Sequence, residues 1–164
     1  MYAFTSAGLF LTALAYLPPV PPAGKQDAKK ALEALQGEWR ITNSGLDNNE
    51  LKEVFEKQGK VVIKGAKATL LVKADVKKEV KFLGVTIKLA PGKKPKEIDL
   101  KVEYVIPVSG VESTAKGKTI KGIYSLVGDT LKLYTADDDE ARPKKFPARG
   151  ERGVVTLTRV RPKK

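Results

Sequence analysis

The ten residues from Glu97 to Ile106 exclude most of the folds open to this chain. Ile98, Leu100, Val102, Tyr104 and Ile106 alternate there with Asp99, Lys101, Glu103 and Val105. A period of two sorts side chains onto the two faces of a β-strand, and no helix fits it. The stretch from Lys116 to Ala136 repeats the pattern twice. Ile120, Tyr124 and Leu126 share one parity, with Gly122 among them, and Leu131 and Leu133 then alternate with Thr130 and Lys132. Gly128-Asp129 between the two runs suits a primed two-residue turn, which needs positive φ. Gly122 lies on the apolar face, where a missing side chain marks a bulge, a barrel bend or a close approach of backbone.

The rest of the chain adds strands to this hairpin. Lys25 to Leu35 reads as a short helix with Ala28, Ala31, Leu32 and Leu35 on one side. Gly37-Glu38-Trp39 then opens a strand, and the only tryptophan is placed to close one end of the core. Asp47 or Asn48 can cap a second helix, Asn49 to Gln58, that stops at Gly59 and braces one opening of a barrel. Val61 to Lys64 and Ala68 to Lys73 form a hairpin around Gly65-Ala66, although the pairs Val61-Val62 and Leu70-Leu71 leave its faces unassigned. Val80 to Leu89 changes phase at Gly84, which suggests a bulge in one long bent strand. Pro91 to Pro95 is a turn, Pro107 to Ala115 a loop, Asp137 to Pro147 a charged loop and Gly153 to Val160 a closing strand. About eight short strands at hairpin spacing with one or two short helices predict an all-β fold, an antiparallel up-and-down barrel. Its apolar inner parity implies a dry core or a small apolar cavity.

At 164 residues the chain fits one domain, expected over residues 25–164. It has no cysteine and no histidine. That excludes thiolate and imidazole nucleophiles, disulfides and the usual structural zinc sites. Residues 1–24 carry no charged side chain, and the apolar run Ala7 to Leu17 ends at prolines 18, 19, 21 and 22. This is the profile of a signal peptide, which predicts export to the periplasm or beyond; an uncleaved leader would instead leave the chain membrane-associated or cytoplasmic. The net charge of +12 favours acidic partners such as nucleic acid, polysaccharide or anionic lipid. The lysines are nonetheless spread along the strands as solvated outer faces are, and no specific nucleic-acid binding is expected.

A short helix running into Gly37-Glu38-Trp39, followed by hairpins and a last strand carrying Arg159, resembles the lipocalin arrangement, which implies an arginine packed over the tryptophan. Arg159 or Arg161 could fill that role. A second resemblance rests on five pieces in order over about residues 32 to 161. They are Leu35 to Trp39, Lys94 to Leu100, Gly117-Lys118-Thr119 with Gly122-Ile123-Tyr124, Gly128 to Leu131, and Arg142-Pro143 with Phe146. These are similar to an uncharacterised domain family greatly expanded in planctomycete bacteria. The resemblance implies a lipocalin-like fold and frequent export, with no established activity. The segment from Lys60 to Val85 does not follow that family's pattern, which leaves the pairing of its strands open.

Trp39, Tyr104, Tyr124, Tyr134 and Arg142 are the candidate ligand-binding residues: three tyrosines at strand spacing could line a pocket, and Arg142 could clamp an anion at the barrel mouth or pair with Asp99 and order its loop. Gly37, Trp39, Gly122, Gly128, Asp129 and Arg159 are read as structural. Asp137 to Glu140 are four consecutive acids without the spacing or glycine of a calcium loop, so no metal or other cofactor is expected. A carboxylate pair such as Asp99 with Glu103 is the sort that could do acid–base work, but both lie on the polar parity, and no nucleophile stands beside a base. The expected function is an exported, monomeric binding or scaffold domain for a small apolar ligand or an envelope partner. The alternatives are a surface binder of polyanions and, without support from any motif, a hydrolase.

Overall fold

The computed structural model describes residues 23–75, 78–106, 115–136, 140–147 and 153–161. The leader up to residue 22, most of the loop predicted at 107–115, the acids Asp137 to Asp139 and the basic tail after Arg161 fall outside the described residues. A helix α1 (Ala23–Ala34) leads into β1 (Gly37–Asn43), and α2 (Asn49–Gln58) follows. Seven strands complete the order: β2 (Gly59–Lys64), β3 (Lys67–Asp75), β4 (Lys78–Ala90), β5 (Lys96–Val105), β6 (Thr119–Val127), β7 (Thr130–Thr135) and β8 (Val154–Arg159).

Each strand pairs antiparallel with the next, and β8 returns to β1, so the sheet closes into an eight-stranded lipocalin-like barrel without edges. The strands between residues 60 and 85 are ordinary consecutive neighbours, β2 to β3 to β4. Val127 pairs with Thr130 across the Gly128-Asp129 turn, where Gly128 takes φ +56. Gly122 is a close approach rather than a bulge: a Cβ there would meet the Tyr134 carbonyl oxygen at 2.8 Å.

Local chemistry positions the two helices at opposite ends. Asn48 caps α2 by accepting from the Glu50 and Leu51 N–H groups at 3.0 and 3.1 Å, and Glu53 pairs with Lys57 one turn on. At the other end, α1 delivers Leu35 and Trp39 to the floor of the barrel, both essentially without exposure. Ile41, Ile63, Val85, Ile87, Ile98, Val102, Leu131 and Leu157 build the core above them.

Bulges change the inward face from the simple alternation, two of them around β4. The β3–β4 register passes from Leu70↔Leu83 to Leu71↔Lys81, which leaves Phe82 as the extra residue of β4. The phase change therefore comes from Phe82, not from Gly84. On the other side of β4, Gly84↔Tyr104 is followed by Val85↔Val102, so the extra residue is Glu103 in β5. Beyond it Val105 packs on the core, Ile106 is exposed, and the Tyr104 ring lies over Gly84 on the outside of the barrel. The expectation that Tyr104 and Ile106 continue the inward row of Ile98, Leu100 and Val102 is thus corrected.

Candidate functional site

The barrel is hollow. A cavity of about 330 Å³ runs along its axis, with Leu35, Ile98 and Leu131 at the bottom and aliphatic side chains from the strands as walls. The bottom residues are buried, whereas Leu46 at the α2 end is 40% exposed, so the mouth opens beneath α2. Phe55 of α2 and Phe82 meet edge to face there, with ring centroids 5.2 Å apart. The β4 bulge is what turns Phe82 into the barrel. Among the described residues the polar side chains lining the cavity are Ser44 and Thr135, both at the mouth, and none is ionisable. The Ser44 N–H donates to Glu56 Oε1 at 3.0 Å, while its buried Oγ has no hydrogen-bond partner.

The closed end is held by a different set of contacts. Trp39 Nε1 donates to the Leu35 carbonyl at 2.9 Å, and the Arg159 guanidinium carbon sits 4.2 Å from the tryptophan ring centroid. Arg159 also donates to the carbonyls of Gln36 at 2.5 Å and Ala34 at 2.6 Å, and its Nε lies 3.4 Å from Asp129 Oδ1. Of the two arginines considered, Arg159 therefore covers the tryptophan, with Gly37 beneath its Nη1, while Arg161 pairs with Asp129 at the surface. The Gln36 side chain ties the β2–β3 tip to this end, donating to the Gly65 carbonyl at 3.0 Å and accepting its N–H at 2.6 Å.

None of the candidate ligand-binding residues Trp39, Tyr104, Tyr124, Tyr134 and Arg142 lines the cavity, which corrects the expectation that the three tyrosines line a pocket, while Trp39 closes one end and Arg142 pairs with Asp99. Trp39 lies beneath the floor, covered by Leu35. Tyr104 is turned outward by the β5 bulge. Tyr134 follows Leu133 onto the outer face, in a row with the buried Ile123 and Val154, and packs against Phe146 at 6.4 Å. Tyr124 keeps the inward parity but is enclosed in the core, where its hydroxyl has no partner and burial pushes its pKa up. Arg142 lies outside β5 and β6 and donates to the carbonyls of Ile98 at 2.9 Å and Gly122 at 2.7 Å and to Asp99 Oδ1 at 2.6 Å. Its donors pin the 140–147 segment to the barrel wall, beside a crevice of about 40 Å³ with room for about one water.

The mouth residues Ser44, Leu46, Phe55, Phe82 and Thr135 were not legible as a group. Phe55 lies on the apolar stripe of α2, but Ser44 enters the barrel through a bulge that no residue type announces, and Phe82 through one that the phase change in β4 signals without fixing its position. Asp99 faces Arg142 and Glu103 accepts from Thr86 Oγ1 at 2.8 Å, so this carboxylate pair sits on the outer wall. Among the described residues no three acids, histidines or cysteines converge on a metal-sized site, and no described helix is long and apolar enough to cross a membrane. Compared with protein-family models, with curated proteins and with solved structures, the chain matches none significantly.

Proposed function

We propose that this chain is a lipocalin-like binding protein that takes a small apolar ligand into the barrel through the mouth beneath α2. The observation that carries the reading is the cavity itself: about 330 Å³, apolar along its length and lined by no ionisable group among the described residues. That space holds about eleven water-sized groups at about 30 Å³ each, the size of a short lipid tail or a bicyclic hydrocarbon. It lies at the small end of the range for ligand pockets. Transfer of such a molecule from water is favoured by about 25 cal/mol per Å² of apolar surface covered. The closed end, locked by Trp39 and Arg159, leaves the α2 end as the entrance. Export, as the apolar run Ala7 to Leu17 suggests, would give the barrel access to ligands of the cell envelope.

Fluorescence titration with N-phenylnaphthylamine tests the reading. Saturable uptake by the native sequence, lost when Ala68→Phe and Leu133→Phe fill the cavity, is the expected result. Uptake that is unchanged in the filled but folded variant would overturn it.

A further inference from the structure

We propose, building on the carrier reading above, that the ligand is amphipathic with an uncharged hydrogen-bonding head, an alcohol or a carbonyl, seated at the Ser44 side of the mouth. The backbone sets this up. Ile41 pairs with Leu157 and Asn43 with Thr156, so Thr42 is an extra residue in β1. Asn43 then shares the outward row of Thr156, and Ser44 falls inward to line the cavity. Ser44 is only 8% exposed and its Oγ has no partner. A buried hydroxyl without a hydrogen bond is unfavourable, and a ligand head supplies the missing bond.

The surroundings choose the kind of head. The Ser44 N–H already donates to the Glu56 carboxylate, which places an anionic group beside the hydroxyl and disfavours a carboxylate or sulfate ligand. Thr135 ends β7 two strands away from β1, across β8, so a second hydroxyl lies on the same side at about 10 Å. The remaining rim residues Leu46, Phe55 and Phe82 offer no hydrogen bond. The mouth therefore offers a ligand head two hydroxyls, Ser44 and Thr135, in an otherwise apolar rim, and the apolar body of the ligand points down to the Leu35 floor.

The test displaces bound N-phenylnaphthylamine with decanol and with decanoate, each read against that variant's own dye affinity. In the native sequence decanol should displace the dye at lower concentration than decanoate. Ser44→Ala should weaken decanol by about tenfold, the loss of one hydrogen bond to a buried group. Glu56→Gln keeps an acceptor for the Ser44 N–H and should improve decanoate alone. If Ser44→Ala leaves decanol unchanged while the dye binds, the head-group proposal fails and the carrier reading stands. If the folded protein takes up no dye, both fail.

Discussion

Arg159, half-buried, and Tyr124, buried, represent two kinds of polar group in this barrel. Arg159 is fully engaged, over Trp39 and between three acceptors, and the sequence narrowed that role to two arginines of the same parity, Arg159 and Arg161. Only the strand register separates them: Arg159 pairs with Trp39 on the inward row and Arg161 lies beyond the strand end. Tyr124 is the opposite case, a phenol enclosed without a partner. Burial raises its pKa above the ordinary 10.0, so the folded state holds that proton more tightly than the unfolded chain. The resulting stabilisation is complete below the ordinary tyrosine value and is lost as pH rises through the folded pKa. Tyr124→Phe should lack this alkaline component. Having lost an unsatisfied hydroxyl, it should also be more stable at neutral pH by up to about 1 kcal/mol. Urea unfolding of both proteins between neutral and strongly alkaline pH checks this. A difference between them that does not change with pH would contradict it.

Among the elements, β4 and β5 show where sequence and structure part. Gly84 and Tyr104 face each other across the outer sheet, and a Cβ on Gly84 would run into the Tyr104 ring. An aromatic ring laid over a cross-strand glycine covers exposed backbone and fixes the local register. Gly84→Ala should therefore destabilise by about 1–2 kcal/mol, but by under about 0.5 kcal/mol in a Tyr104→Ala background. Equal effects in the two backgrounds, measured by denaturant unfolding, would show that the ring is not the cause. The strands, the turn at Gly128 and the span of α2 were readable because side-chain period and turn chemistry are local. The bulge in β4 was legible as a phase change, though at Gly84 rather than Phe82; those at Thr42 and Glu103 were not, because each arises from accommodating one strand to its neighbour. Tyr104 left the expected pocket, and Ser44 and Phe82 entered it, for that reason.

At the scale of the whole molecule, closure of β8 onto β1 makes an interior, and the placement of charge keeps that interior apolar. Among the described residues the exposed lysines stand on the outside at both ends, Lys64, Lys67, Lys93 and Lys94 at the closed-end tips and Lys57, Lys73, Lys78 and Lys101 toward the mouth. An apolar ligand would enter the interior while a polyanion would meet this outer surface, so uptake and surface charge belong to different faces of the same barrel wall. The central claim is that the barrel is hollow and admits apolar molecules. Methyl-resolved NMR under xenon pressure probes it most directly, since xenon enters apolar cavities and reports on the methyl groups around it. The methyls of Ile87, Leu100, Leu133 and Val155, which line the cavity, should shift with saturable dependence on pressure, while those of the outward Ile123, Val127 and Val160 stay in place. Shifts confined to the outward methyls, or none in the four inward residues, would contradict a hollow barrel.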